Sequence, residues 1–566
     1  MTDGTGGAGE RREAPPEGSA ALDARSLLAL ARDHQRAGRV DAAAEIYARM
    51  IATWPHAAEP HRRLGILRAR AGRVQEAIGL FERVLRLAPD NPLYLNDLGH
   101  AYLAAKRIDE ADSAYRRAIA LRPELGASHF NLGNLLRGRG KLAEAAAAYR
   151  CAVEAEPAVA AFHMNLGVTL QRLKSYDEAL AALSRAVELD ERSFEARYNL
   201  AFVLSAQQRT EEAIAAYRAA LALNPEAAAA HLNLGVALEE RGKLEEAIAS
   251  FARAAELDPS LVQAHVNLGA ALYGKGDFAL ALAAIRRALQ LSPEQALIHV
   301  NLAQTLQASG DLAGAEAAYR KALALEPSLT TAKAQWSIAL RQMGRWEEAL
   351  ALLDYRHLLR TRRLSAMPPW QTVAAFNAEL ARHIYGLPTL VADPPGLATK
   401  GGRQSLEVLN SADPPVAALQ RFLEAAVGEY VADVLAKSGN PYAPPALASW
   451  HLSGWAVILR ASGYQTPHFH APAMVSGVYY VQIPEVVKSA AAGEAGFIKF
   501  GPPLEAGASA EDTPLTTALR PEEGMVVLFP SYFWHYTMPF ESSEDRICVA
   551  FDVIRGGRGA TGDISP

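Results

Sequence analysis

GASHFNLGNLLRGRGKLAEAAAAYRCAVEAEPAV, residues 126–159, is the stretch from which the fold can be read. Each half carries a helical pattern. In the first, Leu132, Gly133 and Leu136 share one face at about 100° per residue. In the second, Ala145, Tyr149 and Ala152 share another, and Pro157 ends the helix because it lacks an N–H and clashes with the turn before it. The glycine and the alanines let two antiparallel helices approach closely, and the aromatic fills the remaining gap. The rest of the chain repeats this unit. Prolines stand at Pro55, Pro89, Pro123, Pro157, Pro225, Pro259, Pro293 and Pro327, each 34 residues apart except for one step of 68 in which Glu191 takes the missing place. Leu64-Gly65, Leu98-Gly99, Leu132-Gly133, Leu166-Gly167, Leu234-Gly235 and Leu268-Gly269 keep the same period.

A helix–turn–helix unit of this length and signature is identified as the tetratricopeptide repeat (TPR). From about Arg25 to Arg363 there are nine good repeats and a worn tenth, which predicts an α-solenoid. On the first helix of each repeat, positions four, seven, eight and eleven fall on the packed side, and positions two, six, nine and thirteen fall on the side left open as a groove. His61, His129, His163, His231, His265 and His299 occupy position four and read as packing residues. Six consecutive repeats place asparagine at position six: Asn131, Asn165, Asn199, Asn233, Asn267 and Asn301, with Asp97 and Gln335 at either end. An amide both donates and accepts, so such a ladder can grip an extended peptide backbone whatever its side chains. It resembles the asparagine ladder in the TPR region of the O-linked N-acetylglucosamine transferases, and that likeness implies a peptide or protein partner.

The rhythm stops after Tyr355. RHLLRTRRLSAMPPW, residues 356–370, reads as a solvated helix end. Helical patterns follow near Gln371–Tyr385 and Pro415–Lys437, separated by a Pro/Gly-rich loop. From about Leu447 the period falls toward two in WAVILR, SGVYYVQIP, FIKF, GMVVLFP and RICVAFDVI. Short strands between turn signals predict an all-β sandwich or barrel. The expected organisation is a disordered segment 1–22, a solenoid 23–363, a helical connection 364–445, a β domain 446–556 and a tail 557–566.

Three histidines fall at telling places in the β domain. His468 and His470 form an H-x-H pair at a strand edge, where alternation puts both on one face. His535 follows the strand GMVVLFP, 65 residues after His470. In RICVAFDVI, Ile547, Val549 and Phe551 make one apolar face, so Arg546, Cys548, Ala550 and Asp552 point the other way. A charged residue directed into a barrel has an anion to meet. The isolated His34, His56, His100, His357, His383 and His451 have no partners in sequence and read as structural.

TPHFHAPAMVSGVYYVQIP and EEGMVVLFPSYFWHYTMPFESSEDRICVAF are similar to a family of 2-oxoglutarate/Fe(II)-dependent oxygenases, over about residues 370–555. The resemblance implies a double-stranded β-helix (jelly roll) with flanking helices. It further implies Fe(II), 2-oxoglutarate and O2 as cofactors, and His468 and His535 as iron ligands. Arg546 would pair with the far carboxylate of 2-oxoglutarate, and Tyr480 would bond the same co-substrate. Cys548 stands where a serine often assists that arginine. At His470 the wider superfamily places Asp or Glu; a third imidazole leaves one more positive charge on the metal, and imidazoles also suit Zn, Cu and Ni, so the metal's identity stays open. Gly477 and Gly524 read as close packing and a turn.

Composition bounds the remainder. Lys+Arg number 57 against 62 Asp+Glu, a balance that argues against a dedicated nucleic-acid binder. Two cysteines are too few for a disulfide framework, and no apolar run is long enough for a membrane span. The expectation is a cytoplasmic oxygenase acting on a peptide or protein recruited by the repeats, with no nucleic-acid or membrane partner. The alternative is a non-catalytic repeat scaffold with a metal-binding cupin-like domain. Glycosyl transfer fails on size and on the lack of a Gly-rich nucleotide-sugar loop.

Overall fold

The computed structural model describes residues 23–394, 396–435, 450–471, 473–489, 493–501 and 516–556. The expected disordered segment 1–22, the tail 557–566 and the strand start near Leu447 lie outside the described residues. The chain forms two compact units, Met1–Lys243 and Leu244–Pro566.

The first unit holds helices α1 (Ala24–Arg36) to α13 (Ala228–Glu240), which alternate in length between 13 and 14 residues. The pairing works as the repeat signature dictates. In α7 (Gly126–Gly138), a Cβ on Gly133 would lie 2.7 Å from the ring of Tyr149 on α8 (Leu142–Ala155), so only glycine admits the fully buried tyrosine. Gly99 and Tyr115 repeat the arrangement at 2.6 Å. Each turn between paired helices needs one left-handed residue. That residue recurs every 34 positions and is glycine at Gly38, Gly72 and Gly140, but Lys106, Lys174 and Gln208 (φ near 60°) fill the same slot.

The second unit continues the helix pairs from α14 (Leu244–Leu257) through α19 (Thr330–Gln342) to α20 (Trp346–Leu353). A short α21 (Tyr355–Leu358) leads into the β domain, whose strands are β1 (Arg360–Arg363), β2 (Val391–Ala392), β3 (Thr399–Gln404), β4 (Trp450–His468), β5 (Val475–Gln482), β6 (Ile498–Phe500), β7 (Thr517–Leu519), β8 (Met525–Pro530), β9 (His535–Thr537) and β10 (Arg546–Arg555). All pairings are antiparallel, in the order β1-β8-β5-β10-β4-β9-β6-β7, with β3 on β4 and β2 on β3. The long β4 curls this sheet. Its first half pairs with β10 up to Leu459, and its last residues pair with β9 from Gln465 to His468. Ser462, left-handed at φ 61°, lies between the two stretches. The result is a TPR α-solenoid followed by an all-β jelly roll with flanking helices.

Helices α22 (Val373–Tyr385) and α23 (Pro414–Tyr430) cover the sheet. Tyr479 points toward them: its hydroxyl donates to Asn377 Oδ1 at 2.7 Å, and its ring meets Phe376 and Phe422 edge-on. Tyr480, one residue on, therefore faces the opposite side. The last helix pair shares this core, since Ala334 on α19 and Leu353 on α20 belong to the same buried cluster as the strands. No helix among the described residues is long and apolar enough to cross a membrane.

Two expectations are corrected. RTRR, read as part of a solvated helix end, is β1, paired with β8 from Arg360↔Leu528 to Arg363↔Met525; its side chains are mostly exposed, as an edge strand allows. The Pro/Gly-rich loop contains a strand as well. TKGGRQ is β3, where a Cβ on Gly402 would come within 2.6 Å of Ile458 O, so glycine serves close strand approach rather than freedom.

Candidate metal centre

His468 and His535 form a cross-strand pair, the last residue of β4 opposite the first of β9. Their ring centroids lie 4.3 Å apart. His470 lies just beyond β4, in a loop held by a bond from its backbone N–H to Ser531 O at 3.0 Å. Its ring lies 5.2 Å from His468 and 5.1 Å from His535. One ring nitrogen of each histidine falls within 4.8 Å of those of the other two.

The Nδ1 atoms show which nitrogen is left to converge. His468 Nδ1 bonds Thr466 O at 2.7 Å, and His535 Nδ1 bonds Phe533 O at 3.0 Å. His470 Nδ1 bonds both oxygens of Asp552, at 2.8 and 2.9 Å. Each Nδ1 is thereby fixed as the N–H donor, which leaves Nε2 as the lone-pair nitrogen, the form a metal takes. Burial pushes His468 down to about 4, with repulsion from His470 adding to it. Burial, then His468 and His470, hold His535 well below the usual imidazole range. Both are neutral near pH 7.

The same cavity is lined by Arg546, Tyr480 and Cys548. Arg546 is 1% exposed, with its guanidinium 5.1 Å from the centre of the Tyr480 ring. Its Nη1 reaches only Cys548 Sγ, at 3.9 Å, while its Nε and the Tyr480 hydroxyl have no hydrogen-bond partner among the described residues. Burial raises the Cys548 thiol and the Tyr480 phenol, so both remain protonated donors. Among the described residues the cavity walls carry no carboxylate, so the buried guanidinium and phenol turn their donors toward it without a matching anion of the protein's own. Trp455 stacks on His470 at 5.5 Å, and Phe529 meets His535 edge-on at 4.9 Å. Gly477 leaves room on the far side of the sheet: a Cβ there would come within 2.3 Å of the Phe551 ring.

The terminal repeat braces this site from behind. Thr330 Oγ1 on α19 donates to Ala471 O, next to His470. Lys333 Nζ donates to Tyr532 OH at 3.1 Å and lies 4.3 Å above its ring, and Trp534 Nε1 donates to Ala334 O at 3.3 Å. Both ligand-bearing loops are thus tied to one helix.

The structure therefore brings His468, His470, His535, Arg546 and Tyr480 into one cavity. Alternation along RICVAFDVI places Asp552 on the inward face with Arg546; its bond to His470 is marked by no local pattern. The position-six asparagines are less open than their helical angle suggests. Asn131 and Asn165 are buried. Asn131 donates to Asn96 Oδ1 of the preceding repeat, and Asn233 donates to the Tyr198 hydroxyl. Asn165 and Asn199 bond carbonyls of their own helices, and Asn267 accepts from Gln263. Asn301 is half-buried. Five of the position-four histidines bond the preceding proline carbonyl, as His163 does to Pro157 O at 2.9 Å and His299 to Pro293 O at 2.8 Å, whereas His61 bonds Ala57 O at 2.8 Å.

Comparison with known proteins agrees with both halves. Residues 453–552 match the family described as "Putative 2OG-Fe(II) oxygenase". Residues 28–92 and 266–329 match the tetratricopeptide repeat, and residues 94–296 match the C-terminal domain of cilia and flagella-associated protein 70. Among solved structures, YrrB, a TPR protein with an unusual peptide-binding site, is 23% identical over 32% of this chain and 95% of its own, with a TM-score of 0.31. MamA from Desulfovibrio magneticus RS-1 is 24% identical over 30% of this chain and 96% of its own (TM-score 0.29). PilF from Pseudomonas aeruginosa is 22% identical over 38% and 96% (TM-score 0.34). No curated protein matches the chain. The chain joins TPR repeats to a C-terminal domain of that oxygenase family.

Proposed function

We infer that the chain is a non-haem Fe(II)- and 2-oxoglutarate-dependent hydroxylase acting on a peptide or protein segment recruited by its helical repeats. The observation that carries this reading is the convergence of three imidazoles on a cavity that also holds a buried arginine with no carboxylate partner among the described residues. The residues fit the group. His468, His470 and His535 would hold the metal, and Arg546, with its fork of donors, suits the far carboxylate of 2-oxoglutarate, with Tyr480 as the neighbouring hydroxyl donor. When bound, iron and 2-oxoglutarate supply an oxidation in which one atom of O2 enters a substrate C–H bond and the other leaves in succinate, with release of CO2.

The rest of the task belongs to this chain's own residues. The Nδ1 bonds fix ring tautomers, so no reorganisation is needed on loading. Ile498, Val478 and Phe529 line the cavity with apolar surface and exclude water. On the repeats, the amide oxygens of Asn131, Asn165, Asn199 and Asn233, whose Nδ2 groups are already engaged, would accept backbone N–H groups of an extended peptide. In the second unit, taken by itself, Asn267 and Asn301 would offer amide contacts of the same kind.

The test is direct. Full-length protein supplied with Fe(II), 2-oxoglutarate and O2 should produce succinate, and His535→Ala should abolish it. Succinate production unchanged by that substitution overturns the site assignment. The imidazole at His470 also suits a scaffold that binds metal without turnover. Metal binding with no succinate formed, with or without candidate peptides, would favour that reading.

A further inference from the structure

The three ligand histidines differ in what stands behind them. His468 and His535 each donate Nδ1–H to a neutral backbone carbonyl two residues earlier, whereas His470 alone faces a carboxylate. Asp552 is itself 8% exposed and is pinned by Ser476 Oγ at 2.6 Å, its cross-strand partner on β5. The His470 ring is held between this carboxylate and the Trp455 ring, stacked at 27°. A loop residue is thus oriented as firmly as the two on strands.

Charge gives this arrangement its purpose. The cavity walls, among the described residues, carry no carboxylate. A divalent metal and Arg546 would together bring three positive charges into it. The two carboxylates of 2-oxoglutarate cancel two, and one remains. Uncompensated charge is costly in a buried site. Asp552 is the carboxylate bonded directly to a ligand ring, and its single negative charge brings the loaded site to neutrality.

We propose that Asp552 is a positioning residue that both orients His470 and supplies, from behind the imidazole, the negative charge that the three-histidine site lacks. It rests on the iron-site reading above. Removing such a partner costs about 10–100-fold in metal affinity, whereas a residue that merely packs would leave affinity alone once the protein folds.

The test measures Fe(II) affinity without air, by competition with a chromogenic chelator, independently of turnover. Asp552→Asn keeps the shape and can still accept from Nδ1, so it removes chiefly charge; the expected loss is about 10–100-fold. Ser476→Ala leaves the charge and removes only its anchor, so it should retain most of the affinity. In a His470→Asp background the carboxylate moves onto the metal itself. There, Asp552→Asn should no longer weaken Fe(II) binding and should strengthen it, by removing a like charge. Asp552→Asn within twofold of wild type, equal losses in both backgrounds, or a loss in Ser476→Ala as large as that in Asp552→Asn would each overturn the proposal while leaving the iron site standing. Wild-type protein that binds no Fe(II), or His535→Ala that binds it as wild type does, overturns the site and the proposal together. If Asp552→Asn alone does not fold, His470→Asp is compared with His470→Asp/Asp552→Asn, and weaker Fe(II) binding by the second than by the first overturns the proposal.

Discussion

Arg546→Met should stabilise the free protein and cut its response to 2-oxoglutarate to about a third. The arginine is 1% exposed, has no carboxylate partner among the described residues, and is offset by one long contact to sulfur and the Tyr480 ring face. A cation over an aromatic contributes about 0.5–2 kcal/mol. Desolvating an ion costs several kcal/mol even after relaxation. Replacing it with an unbranched apolar side chain of similar length should therefore gain about 1–3 kcal/mol, and for a cooperative unit of about 200 residues each kcal/mol raises Tm by about 2–4 °C. The ligand response moves oppositely. At 100 times the wild-type dissociation constant, 2-oxoglutarate stabilises by about 2.7 kcal/mol. Truncating one member of a buried charge pair costs at least about 2 kcal/mol, or about 30-fold, which leaves about 0.9 kcal/mol at that concentration. The assay is thermal unfolding of Mn(II)-loaded protein with and without 2-oxoglutarate, alongside metal-free scans. Arg546→Lys serves as control: it keeps the charge, so the metal-free Tm should not rise. An Arg546→Met protein that melts below wild type, or that 2-oxoglutarate stabilises equally, would refute the reasoning.

Three further outcomes follow from packing and charge. Burial pushes Lys333 down to about 8 from 10.5. Below pH 8 both folded and unfolded chains hold the proton, and the fold bears the whole cost; between pH 8 and 10.5 the folded state releases it first, so stability rises with pH by at most about 3 kcal/mol. Unfolding at pH 7 and pH 10 should show this gain in wild type and its loss in Lys333→Met. Gly477→Ala would put a Cβ 2.3 Å from the Phe551 ring, against an ordinary contact of 3.4 Å or more, and should cost about 1–3 kcal/mol. Phe551→Leu in the same chain should recover part of that cost, and additive losses by denaturant titration would contradict the contact. Lys174→Gly and Gln208→Gly, at left-handed turn positions where other repeats carry glycine, should each raise stability by up to about 1 kcal/mol, read from the urea midpoint.

The solenoid was legible because a 34-residue period is a local signal repeated many times. The five apolar strands were legible because alternation is written into WAVILR and RICVAFDVI themselves. The rest depends on distant partners. Nothing within RTRR marks it as β1; it becomes a strand because β8 has an open edge to pair with. TKGGRQ hides β3 because its glycines, read alone, signal a loop, while their function is to admit the backbone of β4. In the site, the histidines and Arg546 could be chosen by residue type and spacing. The Asp552–His470 bond spans 82 positions and joins a strand to a loop, so neither stretch of sequence marks it. The asparagine ladder was legible as a row, but not the hydrogen bonds that occupy it, which come from the same helix at Asn165, Asn199 and Asn267 and from another helix at Asn131 and Asn233.

The packing of α19 against the sheet bears on how such a chain can change over time. A stack of helical repeats leaves its last helix with an unmatched apolar face, and repeat proteins need a dedicated cap to cover it. Here the jelly roll is that cap: Ala334 and Leu353 are buried in its core, and Thr330, Lys333 and Ala334 bond its loops. Among the described residues, the repeat helices buried in this junction are those of the terminal repeat. Repeats farther from it can be gained, lost or resurfaced without disturbing the geometry of the three histidines, whereas the terminal repeat and the β domain are bound to be inherited, and to drift, as one piece.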